Sequence, residues 1–488
     1  MGLTLPPKLP RFHPATRIRA MGEGEPDYTI GDAACHLKIL GAIGGGKTSG
    51  SGEFFAKGYL GSDAEMGMLI LCAKPSEAAQ WIRWAEETGR GKDVRVFDAS
   101  GDRFRFNFLD WMSGFASEGA GLTINVVALL EEIITALEPE RGTGGGDSLF
   151  WEDALHQLLV SDVQLVQLAG YELSLPTMRD IVRSAPLSRE QASDPKWQGE
   201  SACWFFLEKA RERCASLDAE TQADYTECRA YWLDDFANLR EKTRSIITLM
   251  FTKLAQPFST QPLRKLHCSD TTLRPEDTFS GGILIISPST LEYRLVGRIT
   301  ALTWKYCWQM AVLRRKPAPK GEYLRPVCCW ADEAAENFLS RSDSTFAAQA
   351  RQSAGCLVFL GQNINQYRKR LGGEDAFEAC ISNFQTLVVH QSTGPTCRWM
   401  AERLGERWER VPGISRHAPD APELQGSSGI SIGKQRRYLV EPSTFTTLAR
   451  GGATYGFEVE AIVYKGGQLF ANGLPYKRMR FKQTVNGK

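Results

Sequence analysis

Residues 36–49 read His36-Leu-Lys-Ile-Leu40-Gly41-Ala-Ile-Gly44-Gly45-Gly46-Lys47-Thr48-Ser49, and the chain continues to Leu60 in a pattern that suits a helix. Gly41 to Thr48 satisfies G-x-x-x-x-G-K-[ST] at every fixed position. A chain of this length matches that pattern by accident on the order of one time in fifty, and the strand before it and helix after it make accident a poorer account still. Glycines let successive backbone N–H groups converge on phosphate oxygens, and the helix N-terminus adds a positive dipole. The motif therefore predicts a site for ATP and Mg2+. Gly41, Gly44, Gly45, Gly46 and Ser49 line the phosphates, Lys47 reaches the β- and γ-phosphates, and Thr48 places its hydroxyl on the metal.

Working outward, short apolar runs recur at His36–Leu40, Met68–Cys72, Val94–Phe97, Ile283–Ser287, Val327–Trp330, Cys356–Leu360 and Thr386–His390. Runs of this length and composition are strands covered on both faces, the mark of a mostly parallel α/β sheet. Three precede residue 113 and four follow residue 280, so the sheet is interrupted once. Leu122–Leu137, Trp151–Leu168 and the stretch to Phe258, with Trp204, Tyr225, Trp232 and Phe236, carry helical spacing. The expected organisation is a nucleotide-binding domain in two parts, 1–112 and 259–488, around an all-α domain at 113–258. Arg141–Asp147 is read as a loop within the insertion, and Tyr455–Phe470, around Gly466-Gly467, as a closing β-hairpin.

A P-loop needs an acid at the tip of another strand. Pro326-Val-Cys-Cys-Trp-Ala-Asp332-Glu333 ends an apolar run in two carboxylates. Asp332 is assigned to Mg2+ and Glu333 to orienting the attacking water; the plainer alternative is a solvated helix start. The run Cys356–Leu360 leads through Gly361 to Gln362, which suits a γ-phosphate sensor, a capping amide being the alternative. Arg351, on the amphipathic helix before that strand, suits an arginine finger acting on a neighbouring subunit, a surface arginine being the alternative.

Composition excludes several classes. The 488 residues, 42% hydrophobic and 24% charged with 12 tryptophans, describe an ordinary folded globular protein. Net charge of +1 does not advertise a nucleic-acid surface. The 12 cysteines contain no CxxC and fit buried thiols of a cytosolic protein better than zinc or disulfides. No run reaches the length of a membrane span.

Together these pieces resemble the coupling ATPases of conjugation and type IV secretion, the TraD/TraG/TrwB kind within the HerA/FtsK superfamily. The resemblance rests on Gly41–Gly52, Val96–Ser100 with Phe106–Leu109, Phe150–Ala154, Glu241–Ser245 through Phe258, Asp332–Ala335, Ala350–Gly355 leading to Gln362, and Ile381–Phe384. It implies a RecA-like motor with an inserted all-α domain, assembled as a hexamer that hydrolyses ATP to move DNA through its pore. It places Arg351 and Gln362 at the family's finger and sensor positions, and implies a relaxase or secretion-channel partner that recruits a cytoplasmic chain to the inner membrane. The second-strand motif here is Cys72-Ala-Lys74-Pro-Ser-Glu77, where the family usually has an acid before the lysine, and the transmembrane helices that begin most members are not present.

For DNA, the basic clusters Arg314–Lys316, Arg368–Arg370, Lys434–Arg437 and Lys477–Arg480 are candidates. Tyr367 with Arg368 and Tyr476 with Lys477 offer a ring beside a cation for single strands. Gly429-Ile-Ser431-Ile-Gly433 fits the hydrolase pattern G-x-S-x-G but is read as a Gly/Ser loop, with no later histidine to complete a triad. Three functions stay open: a conjugative DNA pump, a soluble HerA/FtsK-like motor in repair or antiphage defence, and a nucleotide-switched binding module.

Overall fold

The structure is a computed structural model and describes residues 9–115, 122–137, 147–338, 340–416 and 428–484. Its centre is a sheet of nine strands: β1 Leu37–Leu40, β2 Gly67–Leu71, β3 Val94–Phe97, β4 Ile283–Ile286, β5 Val327–Ala331, β6 Gly355–Gly361, β7 Thr386–His390, β8 Glu458–Lys465 and β9 Tyr476–Lys482. Across the sheet they run β9-β8-β7-β1-β6-β5-β2-β4-β3. The pairings from β7 to β3 are all parallel, and β8 and β9 add antiparallel at one edge.

Every residue of β1, β2, β4, β5, β6 and β7 is buried, as runs with no polar face require. One face packs on Phe55, Tyr59, Trp81 and Trp84; the other packs on Trp304, Trp308 and the helices that follow β3. The neighbours Cys328 and Cys329 alternate between these two cores. All seven strands expected in this parallel set form, with ends within two residues of the predicted ones.

Between β3 and β4 the described residues form helices and no strand. Thr123–Leu137, Asp147–Ala169, Ala202–Cys214 and Glu241–Ala255 carry most of this segment, and its core is continuous with that of the adjoining sheet face. The predicted loop Arg141–Asp147 falls outside the described residues, apart from Asp147, which opens a helix. Helix Leu295–Leu313 is bound to its surroundings by a buried ion pair, Lys305 Nζ to Asp343 Oδ2 at 2.6 Å.

Three expectations need correcting. The closing hairpin exists, but β8 pairs with β9, so the connection runs from Gly466 to Pro475 and Phe470 lies in it. Gly429–Gly433 is no loop: it lies in strand Ser428–Tyr438, which pairs with Glu406–Arg416 along its whole length. Glycine and serine there read as loop formers, and the partner strand's hydrogen bonds override them. Tyr367 is 3% exposed, with the Lys38 ammonium 3.1 Å from its ring centre, so it offers no surface to a nucleobase. Tyr476 and Lys477 are likewise engaged, by the Leu439 carbonyl and Glu25.

Candidate functional site

The P-loop leaves the C-terminal end of β1 and is pinned by both flanking strands. Gly41 N–H donates to the Gly361 carbonyl at 3.3 Å and Ala42 N–H to the Gln391 carbonyl at 2.8 Å. Gly44 and Gly46 have φ of 70° and 80°, the left-handed region that favours glycine. A Cβ on Gly46 would stand 2.6 Å from the Val459 side chain. The loop runs into a π-turn, Thr48–Gly52, and then the helix Glu53–Gly61, a later start than the predicted Ser49.

Lys47 Nζ donates to the Gly41 and Ala42 carbonyls at 2.8 and 3.3 Å. Burial pulls its pKa down, and the charges of Glu333 and Asp332 oppose that shift. Thr48 Oγ1 donates to Asp332 Oδ2 at 2.9 Å. Glu333 N–H donates to Asp332 Oδ1 at 2.9 Å, and Gln362 Nε2 donates to Glu333 Oε1 at 3.2 Å. Residues more than 300 positions apart thus form one chain of contacts over the tips of β1, β5 and β6. Glu333 has φ of 46°, uncommon outside glycine, which turns its carboxylate toward this cluster.

The structure settles two of the plainer alternatives. Asp332 is 5% exposed and is no solvated helix start. Gln362 is no cap either, because Asn363 caps the next helix through the Gln366 N–H. Ser49 is held from the other side: its Oγ accepts from Gln483 Nε2 at 2.6 Å, and Gln483 Oε1 accepts from Gly452 N–H at 2.6 Å. Arg351 sits apart. It lies in the 3-10 turn Ala350–Ser353 beyond the helix Ser340–Gln349, exposed, just before β6 begins. Since β6 has seven residues, Arg351 is roughly 20 Å from the P-loop end of the sheet. There it borders a cavity of about 230 Å³ lined also by Phe12, Pro14, Tyr323 and Cys356.

Two contributors escaped the sequence reading. Glu77, the first residue of helix Glu77–Glu87, is 5% exposed; its Oε2 accepts from Ala73 N–H at 2.7 Å and its Oε1 has no hydrogen-bond partner. Burial, and then the charge of Asp332, push its carboxyl up to about 7. Lys74 Nζ stands between them, 3.8 Å from Asp332 and 4.0 Å from Glu77. The acid three residues after Lys74 was the available signal, but its burial depends on strands distant in sequence. His390 ends β7 behind the P-loop, with Nδ1 3.1 Å from the Glu460 carbonyl and Nε2 2.6 Å from Ser51 Oγ. A carbonyl only accepts, so Nδ1 carries the proton and Nε2 accepts from the serine. Burial lowers the His390 pKa to about 3, which keeps the ring neutral.

The site therefore brings together a glycine loop, a lysine, and hard oxygen donors from Thr48 and Asp332, the set that suits a nucleotide phosphate with Mg2+. Residues 326–450, from the start of β5 through Arg351, Gln362 and the paired strands, match a family model described as the TraM recognition site of TraD and TraG. The fold matches plasmid coupling protein TrwB in complex with ADP and Mg2+, at 14% identity over 97% of this chain and 90% of that one, with a TM-score of 0.57. The unbound monoclinic form of the bacterial conjugative coupling protein TrwBΔN70 gives 0.56 at 14% identity, covering 96% and 90%. TrwB with the non-hydrolysable ATP analogue ADPNP gives 0.55 at 14% identity, covering 96% and 91%. The chain resembles the TraD/TraG/TrwB coupling proteins. Its RecA-like fold, a mostly parallel sheet with helices, matches that of TrwB over nearly the whole length of the chain. No curated protein matches it by sequence.

The buried Glu77 sets a pH test. Its folded pKa of about 7 exceeds the ordinary carboxylate value, so the folded state holds an extra proton between roughly pH 4.5 and 7 and loses stability as pH rises through that window. Glu77→Gln, neutral throughout, is expected to gain on wild type between pH 5 and pH 8, by at most about 3 kcal/mol. Thermal unfolding without nucleotide reads this, and a stability difference that does not change with pH contradicts it.

Proposed function

We propose that the chain is a Mg2+-dependent ATPase that drives DNA movement in conjugative transfer or a related mobile-element process. The observation that carries this reading is the continuous contact path Thr48–Asp332–Glu333–Gln362 above three adjacent strands. TrwB, whose fold this chain shares, is known in complex with ADP and Mg2+ and with an ATP analogue.

In this reading Gly41, Gly44, Gly45, Gly46 and Ser49 bind the phosphates, and Lys47 leaves the Gly41 carbonyl for the γ-phosphate. Thr48 and Asp332 hold Mg2+, which when bound neutralises charge developing on the phosphate oxygens. Glu333 orients and deprotonates water, and Gln362 fixes the Glu333 carboxylate and reports loss of the γ-phosphate. The helices between β3 and β4 form the inserted all-α domain, 113–258, of a motor built from 1–112 and 259–488. Arg351 lies far from its own P-loop, which fits a finger acting in trans between subunits of a ring, six by analogy with the family. Relaxase or channel proteins would recruit the chain to the inner membrane; among the described residues no helix is long and apolar enough to cross a membrane.

Glu333→Gln is expected to bind Mg·ATP with near wild-type affinity, because Asp332 still organises the metal, and to stall hydrolysis for want of a base. Loss of nucleotide binding in that variant shows that the two acids have been given each other's roles. Arg351→Ala is expected to fold and bind ATP normally and to lose on the order of 10³ in turnover. Lys47→Ala subunits, inert alone but carrying Arg351, are expected to restore part of that activity on mixing. Mixed rings that recover nothing exclude a shared active site.

A further inference from the structure

Strands Glu406–Arg416 and Ser428–Tyr438 form an antiparallel ribbon, in register from Glu406 opposite Tyr438 to Arg416 opposite Ser428, and pair with no strand of the main sheet. Eleven residues of strand reach about 35 Å. The base of the ribbon lies at the end of the sheet away from the P-loop. The Leu439 carbonyl there accepts from the Tyr476 hydroxyl at 3.1 Å, and Tyr476 is level with Tyr464 and Leu387, near the start of β7.

Among the described side chains of the ribbon, those of 406–412 and 432–438, none is buried, so a core does not dictate the composition there. Opposed residues of an antiparallel pair share a face. One face carries Trp408 opposite Arg436, Arg410 opposite Lys434, and Pro412 opposite Ile432. Trp408 is 67% exposed and Ile432 70%. The Arg436 guanidinium stands 5.8 Å from the Trp408 ring centre and pairs with Glu406 at 3.1 Å. On the other face Arg407 opposes Arg437, and Glu409 lies 3.8 and 3.9 Å from the two guanidinium groups.

Like charges directly opposed destabilise a strand pair. The ribbon places an acid of its own between Arg407 and Arg437. Arg410 and Lys434 have no carboxylate partner among the described residues. An anion between them relieves the repulsion, and the exposed indole two residues from Arg410 supplies a stacking surface beside it. A phosphate followed by an unpaired base has both features.

We propose that this face binds single-stranded DNA, with a backbone phosphate between Arg410 and Lys434 and a base on Trp408. The proposal rests on the reading of the chain as a DNA-handling protein and gives that reading a contact surface. An acidic protein partner is the competing occupant.

The test measures binding of a fluorescent oligothymidylate to the full chain by anisotropy across a salt series, with ATP turnover without DNA as the control for folding. The double variant Arg410→Gln/Lys434→Gln is expected to bind about tenfold or more weakly, and its log-log salt slope to fall by about 0.7 to 1.4. Trp408→Ala is expected to lose about 5- to 100-fold in affinity with the salt slope unchanged. Both variants should keep the DNA-free turnover of the wild type, since none of the three residues contacts the Thr48–Asp332–Glu333–Gln362 path or Arg351. Unchanged oligothymidylate affinity in both variants overturns the proposal, as does a loss confined to duplex DNA or to a protein partner. A wild-type chain that hydrolyses ATP but binds no DNA overturns the underlying DNA reading instead.

Discussion

The hydrogen bond from Thr48 Oγ1 to Asp332 Oδ2, 2.9 Å long, is the contact on which the rest of the molecule converges. Its two residues follow strands that do not touch: β6 lies between β1 and β5. With strands about 4.8 Å apart, β1 and β5 stand roughly 10 Å from each other. The P-loop must arch over the tip of β6 to close that gap, and this requires the strand ends to be level. The register supplies it, pairing Leu40 with Gly361 and Ala331 with Phe359. Gly44 and Gly46 provide the left-handed backbone, and Gly46 lets the loop lie against Val459.

Charge follows from that geometry. Asp332, Glu333 and Glu77 gather beneath the P-loop, where Lys47 feels the charges of Asp332 and Glu333 and Lys74 stands beside Asp332 and Glu77. Burial lowers the pKa of Lys47 and raises that of Glu77, so both charged forms are held at a cost until an ion of opposite sign arrives. Bound Mg2+ and phosphate are such ions. The carbonyls that Lys47 now engages belong to the same loop that would present N–H groups to the phosphates. Ser51, His390 and the Glu460 carbonyl brace the loop from behind without adding charge, because the ring is neutral.

How much of this could be read from the chain depends on whether a residue's role is local. The strands around the P-loop were legible because each is apolar on both faces over its full length. That Lys47, Thr48 and Asp332 come together at the strand ends was legible because phosphate and metal chemistry restrict which residues can follow such strands. Glu77 was not, since only the packing of β2 and β5 buries its carboxyl. Tyr367 looked like a surface ring beside arginine, and the amphipathic helix that carries it turns it under Lys38 instead. The ribbon stayed hidden because Gly429, Ser431 and Gly433 read as loop and its pairing partner lies across a connection. Its arginines were visible only as a scattered basic cluster, and register alone shows which of them oppose each other.

The measurement closest to the centre of this account is the steady-state ATP turnover of the wild-type chain, with and without Mg2+ and with and without single-stranded DNA. Many turnovers per chain, abolished by chelating Mg2+ and accelerated by DNA, are expected if the Thr48–Asp332 pair holds the metal of a DNA motor. Nucleotide that binds but turns over no more than once per chain, or turnover indifferent to both Mg2+ and DNA, contradicts it.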